Sequence, residues 1–469
     1  MAHRDLRDFI SRIDELGELH VVPAEVDPCL EIAAITNRVS KLESGGPALL
    51  FSKVKGGRFR VAANLFGSEK RVAAALCLES LDALPARLRE VMSDTPGETA
   101  AERLASLAIT WAGERAKPVR SKDPFCQEVK DRITDLRELP VPKSWPLDGV
   151  PDHGGRFITL PLVITRGPGG GLNCGMYRVA LLGPDTFAIH WDPASGGAAH
   201  AAAWGSKGAA MPVAIAVGGP PALTFAAMLP LPEALDEFVF AGLLQGEPVE
   251  TVRCLTSDLV VPAGAELVIE GVMEPGENAR DGAFGNHTGY YQPSSVSPMV
   301  RVTAITHRHD MIYPTTVVGP PPMEDCWLAA AAGRLFLALL RIDMPEVTSL
   351  HQPLTGIFHG GTVVAVRNGS GRGEELIARI RATPWFSRSR MIVLVDEEQD
   401  PSDAAGVYWR VMNNVEWEHD LVIDAGCLGV DATAKPSAGS PDLIPVRMDE
   451  NMMRQVEKRW QEYGFSNDK

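Results

Sequence analysis

Residues Ala265-Glu-Leu-Val-Ile-Glu-Gly-Val-Met273 show the alternation that is typical of a β-strand, and a Pro275-Gly276 turn follows them. The next segment is Asp281-Gly-Ala-Phe-Gly-Asn-His-Thr-Gly-Tyr-Tyr291, which combines an acid, an amide, a histidine and several glycines. Glycine allows backbone to approach a ligand closely, and loops that leave a rigid strand commonly carry functional side chains. This segment is therefore a candidate functional loop, and the strand before it places it in a β-rich region.

The sequence on both sides of this strand predicts one mainly β domain. Strand patterns recur between 157 and 306, and helical patterns occur between them at 198–206, 223–228 and 237–244. A stretch at 116–150, rich in proline and charge, is typical of a surface crossing into a new domain. We therefore expect a central domain over residues 116–318.

The two ends of the chain predict smaller α/β units. The helical pattern at 5–16 has an apolar face made of Leu6, Phe9, Ile10, Ile13 and Leu16. This helix and the strand patterns that follow it predict an N-terminal α/β unit over 1–115. A long apolar helix at 325–340 predicts a connector over 319–342. Alternating strand and helix patterns then predict a C-terminal α/β domain with a parallel or mixed sheet over 343–469, ending in an amphipathic helix at 449–463.

Composition limits the classes of function. The net charge of −15 over 469 residues argues against a nucleic-acid partner. The chain has no apolar run long enough for a membrane span and does not start with a signal peptide. Its seven cysteines are scattered singly, which argues against a disulfide framework or a cysteine zinc site. We expect a cytoplasmic protein without a membrane partner.

Two tempting sites are weak. The glycine loop Gly369–Gly373 follows a strand pattern and precedes a helix, but its spacing does not match the dinucleotide-binding motif. This argues against an NAD-linked dehydrogenase and favours a solvated loop. The histidines lack the helical spacing of a histidine zinc site.

A combination of segments is more informative than any single motif. Asn173-Cys-Gly-Met-Tyr-Arg178 follows a glycine loop, and Thr224-Phe-Ala-Ala-Met-Leu-Pro-Leu-Pro-Glu-Ala-Leu-Asp-Glu237 follows a strand and a turn. The amide oxygen of Asn173 and the carboxylate of Glu237 suit a hard cation that bridges a phosphate. The planar guanidinium of Arg178 suits a substrate carboxylate.

These segments, in this order, resemble the UbiD-like reversible decarboxylases. The C-terminal segments Asp396-Glu-Glu-Gln-Asp-Pro-Ser-Asp403 and Leu428-Gly-Val-Asp-Ala-Thr-Ala-Lys435 resemble the same family, so the likeness covers nearly the whole chain. The resemblance implies prenylated FMN, supplied by a flavin prenyltransferase and held through a divalent ion, usually Mn2+, and K+. It also implies a central split β-barrel that binds the flavin, a C-terminal oligomerisation domain, and a homodimer or higher homo-oligomer.

The resemblance assigns roles to individual residues. Asn173 and Glu237 match metal ligands, and Arg178 and Asp281 match the catalytic arginine and one of its carboxylate partners. Arg390 falls near a lysine that contacts the flavin phosphate. The main chain expected to contact the cofactor and K+ belongs to Cys174, Gly175, Met176, Ala226, Ala227 and Leu229.

The chain departs from the family pattern at three positions. The second catalytic carboxylate is replaced by Asn286, and the metal histidine by Ala194. A metal would then need a water, His190 or His200 in its place. Arg390 keeps the charge of the family's lysine but changes its geometry.

The expected reaction is the non-oxidative, reversible decarboxylation of an aromatic or heteroaromatic acid through a covalent adduct with prenylated FMN. An indole, pyrrole or phenolic ring is favoured, because it tolerates a weak proton donor. Arg178 would hold the substrate carboxylate, positioned by Asp281. The candidates for the proton donor are Asp281, His287, His359 and a water held by Asn286.

An alternative is an accessory subunit that binds flavin or a carboxylate without turnover, a reading motivated by Asn286 and Ala194. The residues that could line the substrate pocket are Phe358, His359 and the loop Asp431–Lys435.

Overall fold

The N-terminal part of the chain alternates helices and strands, as the sequence predicts. The computed structural model describes residues 2–131, 135–357, 360–367, 371–435, 446 and 448–466. The N-terminal helices are α1 (Leu6–Glu15), α2 (Glu31–Val39), α3 (Glu69–Ala75), α4 (Leu84–Val91), α5 (Ala100–Ser106) and α6 (Trp111–Ala116). The N-terminal strands are β1 (Leu19–Val26), β2 (Ala48–Val54) and β3 (Arg60–Ala63).

Helix α1 shows how the apolar pattern becomes structure. Its N-cap, Asp5, accepts hydrogen bonds from the backbone N–H groups of Arg7 and Asp8, which would otherwise lack partners at a helix start. The predicted apolar face is buried at Leu6, Phe9, Ile10 and Ile13. The predicted helix is therefore confirmed.

The central part is mainly β. Its strands are β4 (Val119–Arg120), β5 (Val129–Asp131), β6 (Phe157–Ile158), β7 (Pro161–Arg166), β8 (Leu172–Gly175), β9 (Val179–Leu181), β10 (Thr186–Ile189), β11 (Met211–Val217), β12 (Glu250–Arg253), β13 (Val260–Pro262), β14 (Leu267–Met273), β15 (Asn278–Arg280), β16 (Phe284–Gly285), β17 (Tyr291–Gln292), β18 (Val296–His307) and β19 (Ile312–Thr315). Its helices are α7 (Gly196–Ser206), α8 (Pro221–Ala226) and α9 (Glu237–Gln245).

Most of these strands form one sheet of ten, in the order β6-β9-β10-β18-β14-β11-β7-β8, with β5 and β15 also paired to β18. Helices lie between the strands of this sheet in chain order. Among the described strands, the sheet forms no closed barrel. The split-barrel description stays a prediction. Strands β13, β12 and β4 form a separate sheet, and β16 and β17 form a two-stranded hairpin.

Strand β14 lies in the middle of the large sheet, between β11 and β18. The alternating sequence predicts this strand correctly, but both of its faces are covered, and only Val272 is partly exposed. Glu270 is 1% exposed, and its carboxylate accepts hydrogen bonds from the backbone N–H groups of Leu255 and Thr256. These bonds offset the cost of burying the acid.

The chain then returns to the N-terminal sheet before entering the C-terminal part. Strand β19 pairs in parallel with β3, which completes a four-stranded sheet of order β1-β2-β3-β19. The long helix α10 (Glu324–Asp343) follows. We keep the division of the chain at 115, 318 and 342 as a proposal.

The C-terminal part has the predicted mixed sheet. Its strands are β20 (Val347–His351), β21 (Gly361–Val366), β22 (Met391–Asp396), β23 (Leu421–Asp424) and β24 (Cys427–Asp431), and its helices are α11 (Gly373–Ala382), α12 (Ala404–Asn414) and α13 (Glu450–Lys458). The order is β20-β21-β22-β24-β23, with β21, β22 and β24 parallel.

Short 3-10 helices occur at Glu43–Gly45, Leu81–Ala83, Leu107–Ile109, Phe125–Gln127, Leu136–Glu138, Pro151–His153, Leu354–Gly356 and Trp460–Tyr463. Among the helices that the structure describes, none has the length and hydropathy of a membrane span.

Candidate active site

Arg178 and His190 lie opposite each other at one end of the β9–β10 hairpin. The strands are antiparallel with Ile189 opposite Val179, and the backbone N–H of His190 donates to the carbonyl of Arg178 at 3.1 Å. The Nη2 of Arg178 lies 3.1 Å from the Nδ1 of His190. The strand register therefore brings these two side chains together.

The Asp281 carboxylate is the centre of this cluster. Its Oδ2 lies 3.2 Å from Arg178 Nη2 and 2.9 Å from His190 Nδ1. Ser295 donates to it through its backbone N–H at 2.7 Å and through its hydroxyl at 2.9 Å. Burial opposes ionisation of Asp281, but the donors His190 and Ser295 and the charge of Arg178 outweigh it and lower the pKa to about 2. Asp281 is therefore an anion at neutral pH.

The end of the β15–β18 pair positions this carboxylate. Arg280 is opposite Val296, and the backbone N–H of Asp281 donates to the carbonyl of Ser295 at 3.1 Å. The next residue, Gly282, has a φ of +82°, and a Cβ there would lie 2.1 Å from the carbonyl carbon of Gly149. Only glycine lets the chain turn away from Asp281 at this point without a clash.

The β16–β17 hairpin closes the cluster on another side. Gln292 Oε1 accepts hydrogen bonds from Arg178 Nη1 at 2.7 Å and from Asn286 Nδ2 at 3.2 Å. The ring of Phe284 lies 4.8 Å from the guanidinium carbon of Arg178, a cation–π contact. Within the described residues, Asn286 is therefore connected to Arg178 through Gln292 and not directly.

Arg178 retains capacity to bind an anion. Its side chain is 11% exposed, and burial lowers its pKa, although the charge of Asp281 opposes that shift. Its Nε is buried and has no hydrogen-bond partner within the described part of the chain. An unpaired N–H on a buried guanidinium is costly, and a ligand carboxylate would satisfy it.

The second group of predicted residues also comes together. The backbone N–H of Cys174 donates to Glu237 Oε2 at 3.0 Å, and the backbone N–H of Met176 donates to the carbonyl of Ala227 at 3.0 Å. Burial raises the pKa of Glu237 to about 8, opposed by the Cys174 hydrogen bond. No ion pair among the described residues involves Glu237. A carboxylate in this state suits a bound cation.

Asn173 lies against the start of α7. A Cβ on Gly196 would lie 2.2 Å from Asn173 Oδ1, so glycine is required for this close approach. Ala194 is exposed and offers no ligand. His200 is buried, with Nδ1 2.9 Å from the hydroxyl of Thr165. Within the described ranges, no group of three or more His, Cys, Asp or Glu side chains could hold a metal.

Other predicted residues lie elsewhere or outside the described ranges. Arg390 is exposed just before β22, and among the described residues no hydrogen bond joins its side chain to the cluster. The backbone N–H of Leu229 donates to the carbonyl of Ala226 at 3.1 Å. In the loop 431–435, Lys435 pairs with Asp420 at 3.2 Å. Phe358, His359 and part of the loop Gly369–Gly373 lie outside the described residues.

Sequence reasoning missed three members of the cluster. The sequence patterns do not point to Gln292 or Ser295, and they suggest His190 only as a substitute metal ligand. The signal that could have found His190 is that it lies within the strand pattern at 187–191, near the end of which the observed strand β10 stops. The positions of Gln292 and Ser295 depend on pairing between segments, which local sequence patterns do not define.

Three family models match the chain in order. They describe the N-terminal domain, the Rift-related domain and the C-terminal domain of 3-octaprenyl-4-hydroxybenzoate carboxy-lyase, and they cover residues 10–91, 117–321 and 326–440. An uncharacterised protein of Archaeoglobus fulgidus is 36% identical over 98% of this chain and 99% of its own length. Another, from Aquifex aeolicus, is 37% identical over 99% of this chain and 94% of its own length.

Solved structures resemble the whole chain. The vanillic acid decarboxylase of Sedimentibacter hydroxybenzoicus in its closed form has a TM-score of 0.85 and 25% identity, covering 99% of this chain and 100% of that one. An evolved dimeric form of the enzyme HmfF from Pelotomaculum thermopropionicum, in complex with prenylated FMN, has a TM-score of 0.79 and 27% identity, covering 97% and 99%.

Proposed function

The chain belongs to the UbiD family of carboxy-lyases, and on this premise we propose that it is a prenylated-FMN-dependent decarboxylase of an aromatic or heteroaromatic carboxylic acid. The observation that carries the proposal is the Arg178–Asp281 pair, in which the Nε of a buried guanidinium has no hydrogen-bond partner among the described residues. The structural likeness to a vanillic acid decarboxylase supports an aromatic acid as substrate. We further propose an indole, pyrrole or phenolic ring.

The residues around Glu237 fit the cofactor that this function needs. Glu237 is a carboxylate of raised pKa with no cationic side chain paired to it among the described residues, and Asn173 is next to the residue that donates to it. Two oxygen ligands, completed by a flavin phosphate and waters, suit Mn2+ or a similar divalent ion. Neutralising Glu237 with a cation also removes the cost of its burial.

We assign the rest of the cofactor contacts as follows. Asn173 and Glu237 would hold the metal, and the backbone linked by the Met176–Ala227 hydrogen bond would hold K+ and the flavin. When bound, prenylated FMN supplies an electrophilic electron sink for the loss of CO2. The covalent adduct, the role of Arg390, a homo-oligomeric assembly and a cytoplasmic location stay predictions.

The chain's own residues bind and orient the substrate. Arg178 would receive the substrate carboxylate, while Asp281 and Gln292 hold its two terminal nitrogens at 3.2 Å and 2.7 Å. These two contacts fix the guanidinium before the substrate arrives. The side chain of Arg178 therefore loses little conformational freedom when the substrate binds. The ring of Phe284 covers the guanidinium and limits access of water to it.

Co-expression with a flavin prenyltransferase tests this function. The purified protein is expected to show a modified-flavin absorbance, bound Mn2+, and CO2 release from pyrrole-2-carboxylate, indole-3-carboxylate or 4-hydroxybenzoate. Protein made without the prenyltransferase serves as the control. Equal CO2 release by flavin-free protein would contradict the assignment of the cofactor.

The runner-up is an accessory subunit without turnover. Two observations favour it: Asn286 is a neutral amide bonded to Gln292, and Ala194 is exposed and offers no metal ligand. The retained Arg178–Asp281 pair speaks against it, since simple binding does not require an oriented guanidinium. Flavin binding without CO2 release from a wide panel of aromatic acids would favour this alternative.

A further inference from the structure

The candidate site lacks an acid at the position where the family pattern has one. Asn286 bonds through its amide to Gln292 at 3.2 Å, and its Oδ1 accepts from the backbone N–H of His287 at 2.7 Å. Neither amide gives up a proton near neutral pH. Asp281 has a pKa of about 2, because its donors and the charge of Arg178 outweigh its burial, and it stays ionised. Decarboxylation nevertheless needs a proton for the carbon that loses CO2.

His190 is placed to supply this proton. Its Nδ1 lies 2.9 Å from Asp281 Oδ2, which fits an N–H donated to the carboxylate. The carboxylate then holds the ring in one orientation, with Nε2 on the side away from Asp281. Among the described residues, the Nε2 has one contact, a long one of 3.5 Å to the Gln292 amide nitrogen, and this leaves Nε2 available for a substrate.

The exposure of His190 supports the same role. Its side chain is 25% exposed, whereas that of Asp281 is 1% exposed. The charged groups that contact the ring are Arg178, from the start of β9, and Asp281, from the end of β15. Ser295 and Gln292, the contacts from the other two elements, are neutral. The imidazole is therefore the group of this cluster that combines partial exposure with a second ring nitrogen able to carry a transferable proton.

We propose that His190 is the catalytic proton donor, acting through Nε2 in place of the acid replaced by Asn286. The proposal rests on the decarboxylase function proposed above. As CO2 leaves, the electron pair of the broken carbon–carbon bond stays with the substrate side. That pair forms the new C–H bond with the Nε2 proton, and the pair of the N–H bond stays on the imidazole. A proton from water then restores the imidazolium, so that one carboxylate and one proton give one CO2 and one arene.

The variant His190→Asn separates proton donation from positioning. The Asn Nδ2 lies where the His Nδ1 lies, so the bond to Asp281 is kept while the second nitrogen is removed. With flavin-loaded protein and the three acids named above, kcat is expected to fall at least about 100-fold. KM and the thermal midpoint should stay near those of wild type. The limb of the kcat–pH profile that reports the donor should disappear. Activity of His190→Asn within a factor of a few of wild type would overturn the proton-donor role.

A second measurement does not need turnover. In flavin-free protein with 15N-labelled histidine, the NMR signal of the His190 Nδ1–H group should change in Asp281→Asn, because the carboxylate that accepts from it is replaced by an amide. An unchanged signal would contradict the Asp281–His190 pair. If the flavin-loaded wild type releases no CO2 from any of the acids, the proposed function fails with the donor role. If wild type is active and His190→Asn equally so, the donor role fails alone.

Discussion

Asp281 and Glu237 are two carboxylates of one candidate site, and the structure shifts their pKa values in opposite directions. Asp281 is 1% exposed, yet its pKa is lowered to about 2 because His190, Ser295 and Arg178 overcome its burial. Glu237 is partly exposed, yet burial of its carboxylate raises its pKa to about 8, with the Cys174 N–H as the opposing donor. Donors and countercharge, rather than exposure, decide the protonation state. Asp281 has several donors and orients an arginine, whereas Glu237 is not paired with a cationic side chain in the described part of the chain.

The largest expected effect comes from removing Arg178, the arginine that is paired with Asp281. In Arg178→Ala, kcat/KM for the active acid is expected to fall at least about 1,000-fold, because substrate binding and orientation are both lost. Arg178→Lys keeps the positive charge but loses the planar guanidinium that binds a carboxylate through two N–H groups. It should therefore recover only a small part of the lost kcat/KM. Flavin absorbance checks that the cofactor is retained. Full activity in the alanine variant would remove Arg178 from the mechanism.

Asp281→Asn tests whether this carboxylate also stabilises the fold. The change leaves a buried guanidinium without its countercharge and is expected to cost about 2 to 4 kcal/mol of unfolding free energy at pH 7. Since the folded pKa lies below the unfolded value of about 3.9, this contribution is present above about pH 4 and is lost as the pH falls towards 2. Urea unfolding at pH 7 and pH 3 measures both.

Asp135→Asn is the matched control for that variant. Asp135 also pairs with an arginine, but Arg137 is 69% exposed. Its loss should change the unfolding free energy by less than about 1 kcal/mol. An equal loss of unfolding free energy in the two variants would contradict the view that the buried ion pair stabilises the fold more than the solvated one.

Glu237→Gln tests whether the buried carboxylate of Glu237 destabilises the metal-free protein and binds the metal. A raised folded pKa means that the contribution of Glu237 to the stability of the metal-free wild type is largest below about pH 4, near the unfolded value, and is lost as the pH rises towards 8. Glu237→Gln should lack this loss, so its thermal midpoint at pH 8 should be several degrees higher than that of metal-free wild type. Mn2+ should raise the midpoint of wild type only. A midpoint raised equally in both proteins would place the metal elsewhere.

Ser295→Ala is expected to have the smallest effect. It removes the 2.9 Å hydroxyl bond to Asp281 and keeps the 2.7 Å backbone bond. The loss should be about 1 kcal/mol of unfolding free energy, with a modest rise in the Asp281 pKa. Ser297→Ala, which removes a longer bond of 3.3 Å, is the control and should cost less. A larger cost for the Ser297 variant would reverse this order.

The sequence predicts the positions of helices and strands better than it predicts which of their side chains are buried. Helices α1, α9 and α10 lie where the apolar patterns predict them. The alternation at β14 predicts a strand but not that Glu266 and Glu270 are buried, at 0% and 1% exposed. Burial of both faces depends on which elements pack on the sheet, and period-two patterning does not contain that information.

By itself, the sequence determined the order of the elements, the resemblance to the family and the identities of Arg178, Asp281 and Asn286, because these follow from local patterns and motifs. Tertiary structure alone decided that His190, Ser295 and Gln292 surround the Arg178–Asp281 pair. It also decided that the pKa is lowered for Asp281 and raised for Glu237. A pKa depends on which donors and charges lie within a few ångströms, and these come from strands that pair across long separations in the chain.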